Sequence, residues 1–416
     1  MKQLFRVNSQ RMMKRLEQLA EIGRTAEGGV TREALTIEDR QAQMQVAKWM
    51  EEAGLIVYHD HFGNLIGRKN GNNRQAPAVM IGSHIDTVPN GGMFDGTVGV
   101  IAGIEIAQIL KEAAVTHDHP LEVVAFLDEE GTRFSGGLFG SRGMVGKVGP
   151  EELWKTDEAG VSRLEAMRSF NLEPEKCRQS VRGQGEVKVY LEMHIEQGPY
   201  LQAVNEPVGI VTGIAGPAWF TVKLRGEAGH AGTVPMSLRI DPVAGAAELI
   251  ARIEQICSQE AEAATVATVG KIRAFPGGAN VIAEEVQFSL DVRDTDLQRR
   301  TARIEELKVA AQAIAEKRGL QHEFICHLIQ PPVECAGHVR ARMQAAAKSL
   351  GFAPPLMISG AGHDAMMMKE ITDIGMIFVR CQDGISHNPK EWAEIEDISK
   401  GASILLETTL HYLAYQ

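Results

Sequence analysis

Five side chains that can bind metal ions are scattered along the chain, yet each follows a short apolar segment directly or within a loop. They are His84, Asp95, Glu130, His194 and His387. Short apolar runs are typical of buried strands, and open α/β sheets bind ligands at the carboxyl ends of their strands. Imidazoles and carboxylates together suit zinc, manganese, cobalt or nickel. The sequence therefore predicts a two-metal hydrolase.

The acidic turn Asp128–Glu130 follows the apolar segment 121–127 directly. Charges at such a position are costly unless they face solvent or a metal ion. Neighbouring residues that leave a strand point in different directions, so we expect Glu130 to bind metal and Glu129 to act as general base. A solvated acidic turn is the structural alternative.

Two aspartates of the predicted site, the ligand Asp95 and its neighbour Asp86, have further roles suggested by their positions. Asp86 follows His84 by two residues and is expected to accept the second ring N–H of that imidazole, which would fix its tautomer. Asp95 directly precedes a predicted helix, where it also fits an N-cap. Taken singly, each of these residues has an ordinary structural explanation, and their shared position at strand ends favours a built site.

Residues in other loops and at one strand end are candidates for substrate binding. They are Gln197, His230, Asn280, Arg293 and Gly360. The guanidinium of Arg293 can bind a carboxylate with two parallel hydrogen bonds. Its spacing alone favours a salt bridge with Asp291 or Asp294 instead.

Alternating strand and helix patterns surround these residues. The segments with a strand pattern are 55–59, 64–68, 78–81, 121–127, 187–193 and 375–380. The segments with apolar residues at helical spacing are 8–22, 38–53, 98–110, 339–350 and 398–413. This alternation predicts a doubly wound α/β domain.

The middle of the chain has a different pattern. Its predicted elements are strand 219–225, helix 242–256, strands 265–274 and 286–292, helix 297–317 and strand 322–328. The order β-α-β-β-α-β is that of a ferredoxin-like α+β unit. We therefore predict a discontinuous catalytic domain, 1–213 and 330–416, that is interrupted by an inserted domain, 214–329.

Composition restricts the class of protein. A chain of 416 residues exceeds one ordinary hydrophobic core, and its formal charge of −11 argues against nucleic acid or an anionic membrane as partner. The cysteines are odd in number (5) and far apart, as in a reducing compartment. No segment approaches the roughly 20 apolar residues of a membrane span, and the N-terminus lacks a signal-peptide core. We expect a cytoplasmic enzyme.

Together these motifs resemble the dimetal aminoacylase/carboxypeptidase G-type metallopeptidase superfamily over nearly the whole chain. Within it they are similar to the branch of N-carbamoyl-L-amino-acid hydrolases, allantoate amidohydrolases and β-ureidopropionases. The segments in that branch's style are Gly29–Arg32, Met193–Gly198, Gly229–Thr233 and Gly362–Asp364. His194 occupies a ligand position where peptidase relatives often carry Asp or Glu, which favours the ureido-cleaving branch.

The resemblance implies specific roles for the site residues. One metal ion would be held by His84, Asp95 and His194, and the other by Asp95, Glu130 and His387. Glu129 would be the catalytic acid/base, assisted by Asp86 and His230. Substrate would contact Gln197, His230, Asn280, Arg293 and Gly360, with Arg293 on its carboxylate. The inserted domain would serve as lid and as the interface of a homodimer.

The implied reaction is hydrolysis of the ureido C–N bond of N-carbamoyl-L-amino acids to the L-amino acid, ammonia and carbon dioxide. Allantoate amidohydrolase and β-ureidopropionase are alternatives that use the same machinery. A non-catalytic binding protein of the same fold would be expected to have lost Glu129 or a ligand, and all of them are present.

Overall fold

The computed structural model describes residues 5–260 and 264–414 of a mixed α/β protein. The chain forms two compact units. The first comprises Met1–Thr212, Cys335–Met357 and His363–Gln416, and the second comprises Gly213–Glu334 and Ile358–Gly362. The second unit therefore interrupts the first in the order of the chain.

The α-helices are α1 Ser9–Ala20, α2 Ile37–Glu52, α3 Thr97–Glu112, α4 Phe139–Met144, α5 Arg163–Ser169, α6 Tyr200–Ala203, α7 Pro242–Cys257, α8 Leu297–Arg318, α9 Gly337–Ser349, α10 Asp364–Met368 and α11 Ile395–Leu413. The strands are β1 Ile56–His59, β2 Leu65–Lys69, β3 Ala78–His84, β4 Leu121–Phe126, β5 Val187–Ile195, β6 Val208–Ile214, β7 Gly216–Arg225, β8 Gly229–His230, β9 Val266–Thr268, β10 Ile272–Phe275, β11 Val281–Ile282, β12 Glu285–Asp294, β13 Gln321–Ile329, β14 Val333–Glu334, β15 Leu356–Ser359 and β16 Ile374–Val379.

The sheet of the first unit has the strand order β1-β2-β4-β3-β5-β16-β6. Its central strands β4, β3, β5 and β16 are parallel to their neighbours within that group, whereas β2 and β6 join it antiparallel. Strands β3, β4 and β16 are buried along their whole length, as their continuous apolar sequences require. Because four neighbouring strands are parallel, their carboxyl ends meet at the same edge.

Helices α3 and α11 cover one face of this sheet. The apolar side chains of α3 occur on nearly every side of the helix, and Val98, Ile101 and Ile104 are fully buried. Burial of each such side chain stabilises the fold by roughly 1.5–3 kcal/mol. The N-terminus of α3 is therefore fixed against the sheet edge where the parallel strands end.

The sheet of the second unit is antiparallel, with the order β10-β12-β7-β13 and with β9 also paired to β12. Alternate residues of β12, from Val286 to Val292, are buried in one core with α7 and α8. The residues between them, which include Asp291 and Arg293, point to the opposite face. This alternation places both charged side chains on one open surface.

Most of the predicted elements are confirmed, with small shifts at their ends. The prediction of one strand over 265–274 is wrong, because β9 and β10 are separate and pair with different parts of β12. The glycine at 270 lies between them, and glycine weakens a strand interior. The polar stretch 148–186, for which no element was predicted, contains α5 and short 3₁₀ segments. Among the described residues, no helix is both long and apolar enough to span a membrane.

A buried ion pair fixes the turn that follows β4. The carboxylate of Asp128 accepts a hydrogen bond from Arg163 at 2.7 Å, and both side chains are almost fully buried. The guanidinium also binds Glu152 at 3.1 Å and lies 4.1 Å from the ring centroid of Phe139. Asp128 has a positive φ of 56°, so the turn depends on this support.

We predict that Arg163→Leu lowers the free energy of unfolding by about 3–5 kcal/mol, because it leaves Asp128 buried and unpaired. Urea unfolding followed by circular dichroism measures this change. Arg168→Leu is the matched control, since Arg168 forms an exposed pair with Glu175 and should cause little loss. Equal losses in the two variants would contradict the structural role of the buried pair.

Candidate metal centre

The predicted ligands converge at the carboxyl edge of the parallel strands. His84 is the last residue of β3, and His194 is the penultimate residue of β5. Glu130 follows β4, and His387 follows β16. Since these strands are neighbours in the sheet, ligands that are distant along the chain become close in space.

Asp95 lies between two sets of donor atoms. Its Oδ1 atom is 3.2 Å from Nε2 of His194 and 3.5 Å from Nε2 of His84. Its Oδ2 atom is 3.3 Å from Nε2 of His387. Each set contains ligand atoms within 4.8 Å of one another: His84, Asp95 and His194 form one, and Asp95, Glu130 and His387 form the other. A carboxylate with its two oxygens directed at different ligand sets is suited to bridge two cations.

Backbone contacts orient the imidazoles toward Asp95. Nδ1 of His84 is 3.0 Å from the carbonyl oxygen of Asp86, and Nδ1 of His194 is 2.9 Å from the carbonyl oxygen of Ile195. In each ring the Nδ1–H donates to the carbonyl, which turns Nε2 toward Asp95, the orientation that a metal-binding imidazole needs. The Nε2 atom of His194 also accepts a hydrogen bond from the backbone N–H of Gly96 at 3.2 Å. The acceptor for His84 is thus the backbone of Asp86 rather than the carboxylate expected from the sequence.

The carboxylate of Asp86 has another function in the structure. Its two oxygens accept hydrogen bonds from the backbone N–H groups of Glu129 and Glu130, at 3.2 and 3.1 Å. Asp86 therefore orients the acidic turn after β4. This turn directs Oε2 of Glu129 toward Nε2 of His84 (3.7 Å) and Oε1 of Glu130 toward His387 (3.6 Å).

Three residues around Asp95 were not identified as its supports from the sequence. Glu391 accepts hydrogen bonds from the backbone N–H groups of Phe94 (2.9 Å) and Asp95 (3.1 Å). The hydroxyl of Ser386 is 2.9 Å from carboxylate oxygens of both Glu391 and Asp95. Gln197, expected at the substrate, donates to Oδ2 of Asp95 at 2.8 Å. The nearness of Ser386 and Glu391 to His387 in sequence is the only signal that could have found them.

The local electrostatic environment shifts the pKa values of the acids of the site in opposite directions. Burial alone would raise the pKa of Asp95, but the adjacent imidazoles, chiefly His194, outweigh it and hold that pKa well below its ordinary value. Burial and the charge of Asp95 raise the pKa of Glu130 to about 7. Burial also raises the pKa of Glu129 well above its ordinary value. The hydrogen bond to Asp95 raises the pKa of His387 to about 9.

These residues fit divalent cations. Four carboxylates converge here, those of Asp86, Asp95, Glu129 and Glu130, and none of them forms an ion pair with a lysine or arginine of the described residues. Buried acids require compensating charge. Imidazole nitrogens and carboxylate oxygens are the donors of zinc, manganese, cobalt and nickel sites, and no cysteine belongs to the set.

The remaining predicted site residues belong to the second unit. His230 is exposed, and its Nδ1 accepts a hydrogen bond from the backbone N–H of Gly232 at 3.1 Å. Asn280 is close to His230, because the backbone carbonyl oxygen of Asn280 accepts a hydrogen bond from the backbone N–H of Ala231. Arg293 donates to the carbonyl oxygen of Gly360 at 2.7 Å. The second unit thus brings these four residues together as two pairs.

A mixed sheet that carries an aspartate between two histidine–carboxylate sets at one edge is typical of the class of dinuclear metallohydrolases. The chain belongs to peptidase family M20/M25/M40, whose model matches residues 80–411. This finding confirms the resemblance seen in the sequence.

The chain is similar over most or nearly all of its length to individual proteins. It is 54% identical over 409 residues to the N-carbamoyl-L-amino-acid amidohydrolase of Pseudomonas sp. (strain NS671), covering 98% of this chain and 99% of the relative. It is 37% identical over 390 residues to an allantoate deiminase of Arabidopsis thaliana, covering 86% and 74%. The crystal structure of a hydantoinase/carbamoylase-family amidase from Burkholderia multivorans matches with a TM-score of 0.93 and 33% identity over 99% of both chains.

We predict that Gly96→Ala abolishes tight metal binding. A Cβ atom at this position would lie 2.4 Å from the ring of His84, and its φ of 64° adds strain. Metal content after dialysis, measured by inductively coupled plasma mass spectrometry, tests this prediction. Gly160→Ala is the matched control, because its φ is 80° and nothing lies within 4 Å. Metal content equal to wild type in both variants would contradict the prediction that the close approach of Gly96 to His84 is required for metal binding.

Proposed function

We propose that this chain is a metal-dependent amidohydrolase that cleaves the ureido C–N bond of N-carbamoyl-L-amino acids. The products are the free L-amino acid, ammonia and carbon dioxide. The observation that carries the proposal is the full-length similarity, at 54% identity, to an enzyme named for this activity. The donor set around Asp95 supplies the machinery that such a reaction requires.

Two divalent cations, zinc, manganese, cobalt or nickel, are the proposed cofactors. His84, Asp95 and His194 would hold one, and Asp95, Glu130 and His387 the other. When bound, such cations supply Lewis acidity that activates water and polarises a carbonyl group. Glu391, Ser386 and Gln197 hold Asp95 between the two donor sets through their hydrogen bonds, where its carboxylate would serve both cations.

Glu129 is the proposed general base and acid. Its raised pKa brings the carboxyl group closer to the range in which it can both accept and release a proton near neutral pH. It takes a proton from the attacking water and later delivers one to the leaving nitrogen. Asp86 holds its backbone in place.

The second unit is proposed to recognise the substrate. Arg293 binds the α-carboxylate, which places the ureido carbonyl for attack. His230 stabilises the negative charge that develops on the carbonyl oxygen, and Asn280 and Gly360 contact the substrate. In this proposal the unit is a ferredoxin-like lid and also the interface of a homodimer, as the resemblance implies.

Allantoate amidohydrolase is the second candidate function, since the chain is also similar to an allantoate deiminase. Allantoate carries a second ureido group beside a carboxylate, so the same bond type would be cleaved. The lower identity of 37% makes it the second choice. β-Ureidopropionase is a further alternative within the same branch.

We predict that the protein loaded with manganese, cobalt, nickel or zinc hydrolyses N-carbamoyl-L-methionine or a similar substrate faster than allantoate. Ammonia release across a panel of N-carbamoyl-L-amino acids, N-carbamoyl-β-alanine and allantoate measures this preference as kcat/KM. Chelation with EDTA should abolish turnover, and added metal should restore it. N-Carbamoyl-D-methionine is the control for stereospecific recognition.

The same substrate panel shows which results would contradict the proposed function. If the metal-loaded protein turns over none of the carbamoyl amino acids, the proposed function is wrong. If allantoate has the highest kcat/KM, the second candidate replaces the first.

We predict that Glu129→Gln keeps its full metal content but lowers kcat by about 10²–10⁴-fold, because the amide cannot accept the proton of the water. Elemental analysis and ammonia release on the same sample separate the two effects. Glu158→Gln, at an exposed position, is the charge-matched control and should keep the wild-type rate. An unchanged rate in the Glu129 variant would exclude it as the base.

A further inference from the structure

The guanidinium of Arg293 already has partners within the second unit. Its Nε donates to both carboxylate oxygens of Asp291 at 3.1 Å, and its Nη2 donates to Oδ2 of Asp291 at 2.8 Å. Its Nη1 donates to the carbonyl oxygen of Gly360 at 2.7 Å. Both side chains of the ion pair are partly exposed, at 29% and 30%. The group proposed to bind the substrate carboxylate is therefore held by an internal carboxylate.

The donor count shows what remains for a ligand. A guanidinium has five N–H groups, one on Nε and two on each Nη. Asp291 takes the Nε–H and one Nη2–H, and Gly360 takes one Nη1–H. One N–H is left on Nη1 and one on Nη2. A carboxylate can accept from these N–H groups, so a second carboxylate does not need to displace Asp291.

The pair stands on a rigid part of the sheet. Asp291 and Arg293 are two residues apart on β12 and therefore share a face. Strand β12 is paired on both sides at this point, with β7 and with β9. An ion pair on a doubly paired strand keeps its direction better than a long side chain on a loop would.

The charge of Asp291 also changes how Arg293 selects its ligand. The pair has no net charge, so general attraction for anions is weak and recognition depends on the two remaining N–H groups. A carboxylate offers two equivalent acceptor oxygens, whereas a carboxamide offers one acceptor oxygen and an NH₂ donor. The arrangement therefore favours a planar carboxylate over an uncharged analogue.

We propose that Asp291 is a positioning residue that fixes the guanidinium of Arg293 and so makes the second unit selective for substrates with a free α-carboxylate. This inference rests on the proposed function. The opposite arrangement is that Asp291 competes with substrate for Arg293. The two arrangements predict opposite changes in substrate affinity when Asp291 is replaced. Loss of a positioning residue weakens substrate binding, whereas loss of a competitor strengthens it.

The test measures kcat and KM for N-carbamoyl-L-methionine and for its α-carboxamide with wild type, Asp291→Asn, Arg293→Ala and the double variant. In Asp291→Asn we expect KM for the carboxylate substrate to rise about tenfold or more, the effect of losing a charge-assisted hydrogen bond. The kcat should change little, and KM for the carboxamide should not change. The double variant should be no worse than Arg293→Ala, because the two residues act as one unit.

Two further variants keep the test decisive. Asp291→Glu retains the charge and should recover part of the lost affinity. Glu323→Gln removes a partly exposed carboxylate from β13 of the same unit without touching Arg293, and should behave as wild type. A fall in KM, equal changes for both substrates, or additive losses in the double variant would overturn the proposal.

Failure of the proposed function gives a different result. In that case wild type turns over no carbamoyl amino acid, and binding of N-carbamoyl-L-methionine to the metal-loaded Glu129→Gln protein is measured by calorimetry instead. Affinity that is equal with Asp291 and with Asn at that position would overturn the positioning role.

Discussion

The site depends on one carboxylate that interacts with three imidazoles. Asp95 directs Oδ1 to His84 and His194 and Oδ2 to His387, and this division creates two ligand sets from one side chain. A carboxylate can hold such a position only if its backbone is fixed. The N-terminus of α3 provides this, because the helix is buried against the sheet and Glu391 accepts the N–H of Asp95.

Attraction between these imidazoles and carboxylates explains why the site suits cations. The imidazoles hold the pKa of Asp95 low, and the carboxylate of Asp95 in turn raises the pKa of His387 to about 9. In both cases the carboxylate oxygens and ring nitrogens favour a positive charge between them. Divalent ions compete with protons for the lone pairs of these atoms, so metal binding and proton release are linked. Behind the ligands, the buried carboxylate of Glu192 on β5 accepts from the hydroxyl of Ser83 on β3 and from the backbone N–H of Ala365, which links β5 to its surroundings.

The sequence predicted the parts that follow from strong local patterns. Continuous apolar strands placed the ligands at one edge, and the acidic turn Asp128–Glu130 was recognised because charges directly after a buried strand need a reason. Local sequence patterns could not predict contacts between residues that are far apart along the chain. Glu391 binds the backbone of residue 95, almost three hundred positions earlier in the chain, and Arg163 supports Asp128 from a stretch without periodic pattern. Such partners depend on tertiary structure, which periodicity does not encode.

The two units carry complementary chemistry. The first concentrates acceptors, the carboxylate oxygens and imidazole lone pairs around Asp95. The second presents donors. Nδ1 of His230 accepts from the backbone N–H of Gly232, so the donor of this ring is Nε2, and Arg293 keeps two N–H groups beyond its bonds to Asp291 and Gly360. In the proposed reaction, a substrate with a carboxylate and a carbonyl that gains negative charge would use both kinds of group. Because these donors are fixed by neighbours within their own unit, the proposed recognition of the substrate would be preorganised separately from the proposed metal ligands.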